Sequence, residues 1–266
     1  MNKLSSWESN KYYSIAKKGS EDLSHTGMVI LNNYLNKAFV NSKVLDVGCG
    51  EGTRLANLIN KNKKIRGYGI DISSMAIRLA KKRYPHLEFI QSDVEDVSLG
   101  IKNFDYIYSA YVLEHLKKPE KMIKECLKLL KSNGTLILIA PNYGSPNRSS
   151  PCYKGSRIYK LFFGYIKDLL RILSNKDKLN WNKVRPIFTK NKYEIDWDCQ
   201  TEPYLGSLIS YLKERGFKIL EYSSCWKEES KNNSLLQRVI YFLSKLKLYP
   251  FNYWGPHFVL VARKID

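Results

Sequence analysis

The stretch KVLDVGCGEGT, residues 43–53, decides the fold, because a short apolar strand runs directly into a turn rich in glycine. Val44, Leu45 and Val47 are β-forming residues typical of a strand buried on both faces. The glycines that follow remove side chains, which lets the chain turn tightly and lets a ligand approach the backbone. Thr53 then begins an apolar helical pattern, and the free N–H groups of a helix start attract polar ligands.

The glycine spacing separates this turn from two phosphate-binding turns. A P-loop ends in Gly-Lys-Ser/Thr, and no lysine stands at this helix start. A dinucleotide-binding turn reads G-x-G-x-x-G, whereas this turn reads G-x-G-x-G from Gly48 to Gly52. Asp46 and Glu51 flank the turn and would serve a pyrophosphate poorly. They favour a positively charged ligand, and S-adenosylmethionine carries a sulfonium, an amino group and no phosphate.

Two further acidic residues stand where predicted parallel strands end. Asp71 follows the second strand, residues 65–70, and Asp93 follows the third, residues 87–91. Right-handed crossovers bring such strand ends to one edge of the sheet, where open α/β sheets bind ligands. Asp71 therefore stands where a carboxylate accepts both hydroxyls of a ribose. Asp93 either lies beside the same crevice or caps a helix.

The remaining patterns extend the alternation of strands and helices. Residues 104–109 and 135–140 predict a fourth and a fifth strand, with a helix between them that ends at Asn133-Gly134. This alternation predicts a doubly wound sheet. Residues 24–38 predict a helix on the sheet edge, and the aromatics from Trp7 to Tyr13 pack there or close over a ligand.

The chain resembles class I S-adenosylmethionine-dependent methyltransferases, in the small-molecule branch that includes ubiquinone and menaquinone pathway enzymes. The motifs that carry the resemblance are, in order, VLDVGCGEGT, GIDIS, SDVED, FDYIYSAYVLEHL, LLKSNGTLILIAPN, LKERGFKILE and HFVLVARK. It is close over 43–141 and looser over 203–264. It implies an α/β, Rossmann-like, seven-stranded and mostly parallel sheet, with an antiparallel last strand at 258–262 and an insertion after strand five.

The resemblance also implies a division of the chain and a cofactor. An N-terminal helical cap (1–42) would precede the cofactor-binding half (43–141), an acceptor-side insertion or lid (142–200) and a C-terminal half that completes the sheet (201–266). Asp46 and the glycine turn would hold the methionine part of S-adenosylmethionine, Asp71 the ribose, and Asp93 with Val94 the adenine. The implied cofactor-binding residues are Asp46, Gly48, Cys49, Gly50, Gly52, Asp71, Ile72, Asp93, Val94 and Ser109, and Tyr111 would lie near the sulfonium.

Catalysis of methyl transfer consists mainly in aligning the acceptor with the methyl group and excluding water. A hydroxyl or amine acceptor can also need a general base, and His115 is the only histidine among the motifs. It could equally do no more than begin a helix. Glu114 could help bind a divalent metal, as in some ubiquinone-branch O-methyltransferases that this stretch resembles. A single glutamate is too little to assign a metal ligand, and none is assigned from the sequence.

The composition limits partners and compartment. A net charge of +19 suits nucleic acid or an anionic membrane, or it is spread over a solvated surface without a functional basic face. Nucleic acid is disfavoured, because strand four is followed by SAYV rather than an N-P-P-Y-type tetrapeptide and no aromatic–basic RNA-binding motif is found. The stretches 157–173 and 235–251 mix apolar and basic residues, which is typical of a lid, a dimer contact or an interfacial helix on an anionic bilayer. No role is assigned to Asp196 and Asp198.

The five widely spaced cysteines, without C-x-x-C, argue against a disulfide framework and a structural zinc site. No signal-peptide core or membrane-length apolar run occurs, so we expect a cytoplasmic protein, with possible peripheral contact at the inner membrane surface. The predicted activity is methyl transfer from S-adenosylmethionine to an O or N atom of a sugar, a lipid-linked or a quinone-like small molecule. The alternatives are an RNA or protein methyltransferase and a non-catalytic cofactor-binding subunit. The oligomeric state is not predicted.

Overall fold

The computed structural model describes residues 10–60, 65–97, 99–173, 179, 181–187, 194–228 and 234–265. The helices are α1 (Asn10–Glu21), α2 (Thr26–Asn36), α3 (Thr53–Asn60), α4 (Ser74–Arg83), α5 (Pro119–Leu129), α6 (Arg157–Leu173), α7 (Leu205–Lys213) and α8 (Leu235–Lys245). The strands are β1 (Lys43–Val47), β2 (Arg66–Asp71), β3 (Glu88–Gln91), β4 (Phe104–Ala110), β5 (Leu130–Pro141), β6 (Asn182–Lys183), β7 (Thr201–Glu202), β8 (Phe217–Ser223) and β9 (His257–Lys264).

Seven strands form the main sheet in the order β3-β2-β1-β4-β5-β9-β8. Strand β1 pairs in parallel with β2 and β4, and β2 pairs in parallel with β3. The last strand, β9, runs antiparallel to β8. Strands β6 and β7 form a separate antiparallel pair. The predicted doubly wound, mostly parallel sheet with its antiparallel last strand is therefore confirmed.

The chain divides into two compact units. The first comprises residues 1–112 and 118–137, and its core holds fully buried side chains of β1, α3 and β4, among them Leu45, Leu55 and Ile107. The second comprises residues 113–117 and 138–265, with fully buried Leu208 and Phe258. The four sequence regions predicted above remain a prediction.

One predicted boundary is wrong. Helix α5 ends at Leu129, four residues before Asn133, because Leu130 already has extended backbone angles and a buried side chain. Asn133 has a left-handed φ of 61° and lies inside β5. The Asn-Gly pair thus bends the strand and does not end the helix.

No helix in the described ranges is long and apolar enough to cross a membrane.

Candidate functional site

The glycine turn between β1 and α3 is fixed by sterics and by the neighbouring strand. Gly48 and Gly52 have φ of +80° and +84°, which side-chain-bearing residues rarely adopt. A Cβ on Gly48 would lie 2.3 Å from Val112 Cγ2, and one on Gly52 would lie 2.7 Å from Phe89 Cζ. The backbone N–H groups of Gly48 and Cys49 both donate to the carbonyl of Ile70, at 2.8 and 2.9 Å. The turn therefore has one well-defined shape.

Asp71, at the end of β2, ties this turn to the next one. Its Oδ2 accepts from the backbone N–H of Gly50 at 2.9 Å, and its Oδ1 accepts from that of Ser73 at 2.9 Å. The side chain is only partly buried. The structure thus joins the predicted ribose ligand to the predicted glycine turn by a direct hydrogen bond.

Asp46 lies at the base of the turn and is fully buried. Tyr108 donates its hydroxyl to Asp46 Oδ2 at 2.7 Å, whereas Oδ1 has no hydrogen-bond partner among the residues that the structure describes. Burial raises the pKa of Asp46 to about 7, although Arg54 and the Tyr108 hydroxyl oppose the shift. A positively charged ligand beside Asp46 would stabilise its carboxylate.

The other acidic residue of the turn faces a different partner. Glu51 is buried, forms an ion pair with Arg83 and accepts from Thr53 Oγ1 at 2.8 Å. The electrostatic argument for a cationic ligand therefore rests on Asp46, while Glu51 connects the turn to the end of α4.

The remaining predicted cofactor residues differ in their surroundings. Ser109 is buried and donates to the Val47 carbonyl at 2.8 Å, so its hydroxyl joins β4 to β1. Asp93 is exposed and accepts from the Glu95 N–H at 2.8 Å. It begins a turn, and the described residues directly after it, 94–97, form no helix, so the interpretation of Asp93 as a helix cap is wrong. The list is completed by Cys49 and Val94, which are buried, and by Ile72, which is 51% exposed.

The sequence analysis missed His25 and Arg54 beside Tyr111. Tyr111 has a left-handed φ of 61° just after β4, and its hydroxyl lies 3.4 Å from His25 Nε2. The Arg54 guanidinium lies 5.7 Å from the Tyr111 ring centroid and donates to the Ala110 carbonyl at 3.2 Å. The feature that marks this group is the left-handed backbone of Tyr111, which is unusual for a residue other than glycine. It is visible in the structure and not in the sequence.

The N-terminal aromatics are only partly described. Tyr13 is buried, and a Cβ on Gly50 would lie 3.7 Å from its Cε1, so its ring lies over the glycine turn. Trp7 lies outside the described residues.

A second group of titratable residues lies in the second unit and contains His115. Its Nδ1 lies 3.2 Å from Asp198 Oδ1 and its Nε2 lies 3.7 Å from Glu114 Oε1. Asp196 completes the group, with ligand atoms of Glu114, His115 and Asp196 all within 4.8 Å of one another. Glu114 and Asp198 are buried. We call these four residues the acid–histidine cluster.

Residues of the insertion and β7 hold this cluster in place. Gln200 donates its backbone N–H to the Glu114 carbonyl at 2.8 Å and its Nε2 to the His115 carbonyl at 2.7 Å. Thr201 donates its hydroxyl to the Leu113 carbonyl at 3.0 Å. Tyr143 donates its hydroxyl to Asp196 Oδ2. The short turn Leu113–His115 is thus positioned by Gln200 and Thr201, and the Asp196 side chain by Tyr143.

The neighbouring acids shift the titration of His115. Burial alone would lower the pKa of His115, but Asp198 and Glu114 outweigh it and raise this pKa to about 9. Burial raises the pKa of Glu114 to about 8 against the opposing effect of His115. The acids thus favour the protonated imidazole, whereas a general base must be neutral. The predicted role of His115 as a general base remains a prediction.

The sheet order and the acid-flanked glycine turn are those of a methyltransferase, and the chain belongs to the methyltransferase-domain family, which matches residues 38–250. It is 25% identical over 203 residues to the ubiquinone/menaquinone biosynthesis C-methyltransferase UbiE of Campylobacter jejuni, covering 73% of this chain and 77% of that protein. It is 24% identical over 184 residues to a demethylmenaquinone methyltransferase of Chlorobaculum tepidum, covering 68% and 67%.

A solved structure agrees on the fold. The S-adenosylmethionine-dependent methyltransferase of Mesorhizobium loti superposes with a TM-score of 0.58 at 14% identity, over 91% of this chain and all of that one. The resemblance to class I methyltransferases that the sequence indicated is confirmed.

Proposed function

We propose that this S-adenosylmethionine-dependent methyltransferase acts on a small apolar acceptor. The observation that carries the cofactor is the buried Asp46 carboxylate, with one oxygen unpartnered among the described residues, at the base of a glycine turn held by Asp71. A buried carboxylate of this kind is stabilised by a cation. S-adenosylmethionine is a cation without phosphate, so the residues present fit it.

The proposed roles follow the chemistry of each side chain. S-adenosylmethionine supplies a methyl group on a positively charged sulfur, which an electron-rich acceptor atom attacks. Asp46 and the turn from Gly48 to Gly52 would bind the methionine part, Asp71 would accept from the ribose hydroxyls, and Asp93 with Val94 would contact the adenine. Cys49, Ile72 and Ser109 would complete the pocket wall. The protein's contribution is to bind, orient and exclude water. His115 in its neutral form stays our candidate for taking a proton from the acceptor, and because its pKa is raised to about 9 this role requires alkaline pH.

The acceptor class is supported by the relatives and by the surface of the second unit. Two relatives are named as quinone-pathway methyltransferases, and one of them as a C-methyltransferase. These names support a quinone-like or lipid-linked acceptor and add carbon to the predicted O and N acceptor atoms.

The acceptor class is tested by incubating the protein with methyl-labelled S-adenosylmethionine and one of four acceptors: quinone precursors, lipid extract, RNA or protein. We expect label in the lipid-soluble fraction; label in RNA or protein, or none anywhere, contradicts the proposal.

Helix α6 has an inverted arrangement of polar and apolar residues. Its buried stripe is polar: Lys160 Nζ lies 2.5 Å from Glu202 Oε2, and Asp168 accepts from Tyr204 at 2.6 Å and Trp254 at 2.9 Å. Its exposed large side chains are Ile158, Tyr159, Leu161, Phe162, Phe163, Tyr165, Ile166, Leu169 and Leu170. A surface helix normally shows the opposite pattern. The exposed apolar face therefore indicates an apolar partner.

Helix α8 adds a second apolar face in the same unit. None of its residues is buried, and Leu235, Leu236, Val239 and Phe242 are exposed. Tyr249, just after α8, has its ring centroid 6.1 Å from that of Tyr165 in α6. Exposed basic residues accompany both helices, namely Arg157, Lys167, Arg238 and Lys245. We call this region the α6–α8 surface and propose that it contacts an anionic bilayer, where an apolar acceptor would dissolve.

The replacement Phe162→Glu tests the membrane contact. Phe162 is 61% exposed on the α6–α8 surface, so we expect at least about tenfold weaker co-sedimentation with phosphatidylglycerol-containing vesicles. Phe39→Glu is the matched control, because Phe39 is 84% exposed in the first unit. Wild-type binding should weaken with salt and with phosphatidylcholine alone. If the wild-type protein does not bind vesicles and forms a dimer that Phe162→Glu dissociates, the α6–α8 surface instead binds a second copy of the chain.

The raised pKa of Asp46 predicts proton release when S-adenosylmethionine binds. A cation beside Asp46 favours the carboxylate, so affinity should rise between pH 5 and pH 8, by up to about 100-fold, and level off above pH 8. The ligand-free fold should show the opposite trend: because the raised pKa of Asp46 makes the folded protein bind this proton more tightly than the unfolded chain, we expect its stability to fall as pH rises from about 4 to about 7.

Calorimetry in two buffers of different ionisation enthalpy measures the released proton. The variant Asp46→Asn should release no proton from this site. Comparing it with wild type subtracts the protons that come from the ligand's own amino group. Asp96→Asn, an exposed aspartate, is the control. Equal proton release by wild type and Asp46→Asn would show that Asp46 does not meet the cation.

A further inference from the structure

None of the residues of the acid–histidine cluster is among the proposed cofactor-binding residues, and three of its members lie close to one another. One ligand atom each of Glu114, His115 and Asp196 lies within 4.8 Å of the other two. We propose that these three residues bind a divalent cation, and that Asp198 orients the histidine for this purpose.

The first argument is the state of Glu114. Its side chain is fully buried, and neither carboxylate oxygen has a hydrogen-bond partner among the described residues. Buried carboxylates are normally paired, hydrogen-bonded or bound to a metal. Oε1 lies 3.7 Å from His115 Nε2, an ionic contact inside the cluster, so the carboxylate points into the cluster.

The second argument is the orientation of His115. Its Nδ1 faces Asp198 Oδ1 at 3.2 Å, which leaves Nε2 directed at Glu114. Histidines that bind metals usually present one ring nitrogen to the ion and the other to a carboxylate or carbonyl. Gln200 fixes the backbone of both Glu114 and His115, and Tyr143 fixes Asp196 through Oδ2. The donor set is therefore held before an ion arrives.

The chemistry of the donors indicates the kind of ion. One imidazole and two carboxylates suit manganese, iron or zinc better than calcium, which prefers oxygen ligands alone. Three protein ligands leave coordination positions for water or for an oxygen of a bound molecule. His115 Nε2 cannot bind an ion and accept a proton in the same step. This proposal and the general-base role are therefore alternatives for one nitrogen.

Titration of the metal-stripped full-length protein with Mn²⁺, in the absence of S-adenosylmethionine, tests the proposal. Free Mn²⁺ is followed by electron paramagnetic resonance, and we expect a dissociation constant of about 10 to 100 μM. Glu114→Gln and Asp196→Asn should each weaken binding at least about tenfold, and Asp198→Asn about tenfold. Glu120→Gln, a glutamate of α5 outside the cluster, is the matched control. Bound Mn²⁺ should show electron spin echo modulation from an imidazole nitrogen, lost in His115→Gln.

The outcomes separate this proposal from the proposed activity, because no cofactor is present in the titration. No Mn²⁺ or Zn²⁺ binding by wild type below about 1 mM, or unchanged binding by Glu114→Gln, overturns the site. The melting temperature of each metal-free variant shows whether it is folded. If Glu114→Gln does not fold, Asp196→Asn and the nitrogen signal of wild type decide. Loss of Mn²⁺ binding in Asp196→Asn, together with the nitrogen signal in wild type, supports the site. Absence of the nitrogen signal in wild type overturns it.

Discussion

Replacing Asp71 by alanine is expected to weaken S-adenosylmethionine binding at least about 100-fold and to abolish measurable methyl transfer. A hydrogen bond to a charged group contributes about 1.5–3 kcal/mol, and a ribose offers two hydroxyls to this carboxylate. The structure adds a second loss, because Asp71 Oδ2 also accepts from the Gly50 N–H at 2.9 Å. The glycine turn would loosen together with the ribose contact.

Two further variants separate these losses. Asp71→Asn keeps one acceptor oxygen and the side-chain shape, so it should bind more tightly than Asp71→Ala while melting close to wild type. Asp96→Ala, at an exposed position, should bind like wild type. Calorimetry with S-adenosylmethionine and S-adenosylhomocysteine gives the affinities. No binding by wild type that was purified without bound ligand would remove the basis of the proposed function and leave a scaffold that has the fold alone.

The structural features around the candidate site that the sequence predicts and the structure contains are those written in short, contiguous patterns. The strand β1, the turn and the start of α3 follow one another within residues 43–53. Asp71 needs one more step, because parallel strands joined by crossovers bring their carboxyl ends together. Both steps use local periodicity and a chirality rule, and neither needs a side-chain partner to be known.

The parts that sequence reasoning misses are pairs far apart in the chain. Tyr108 and Asp46 are 62 residues apart, and the hydrogen bond that joins Gln200 to the His115 carbonyl spans 85. Nothing in a single sequence reports such pairs, since any of several hydroxyls or carboxylates could fill each place. The sequence places Asp196 two residues before Asp198, but its neighbours Glu114 and His115 come from a distant segment.

Helix α6 shows the same limit in another form. Its sequence predicts an amphipathic helix at 157–173, and the structure has that helix. The rule that apolar residues face inward would have placed Phe162 in a core. Glu202, Tyr204 and Trp254 instead supply buried polar partners for the opposite stripe. The side that a helix buries is thus decided by residues that its own pattern does not contain.

The buried pair that docks α6 should have the largest effect on stability. Lys160→Met leaves Glu202, which is fully buried, without its cation, although Ser150 and Asn182 still donate to it at 2.8 and 3.0 Å. Removing one partner of a buried ion pair costs about 3–5 kcal/mol. For a chain of this size that corresponds to a fall in melting temperature of roughly 10 °C.

Neutralising both partners should recover most of this loss. In Lys160→Met with Glu202→Gln no uncompensated charge is buried, and the glutamine oxygen can still accept from Ser150. Lys167→Met is the matched control, because Lys167 is exposed on the same helix. Denaturant unfolding of wild type, Lys160→Met, Glu202→Gln and the double variant completes a double-mutant cycle, with Lys167→Met measured beside it. If Lys160→Met unfolds at the same denaturant concentration as Lys167→Met, the polar stripe does not hold α6, and the outward direction of its apolar face loses its physical explanation.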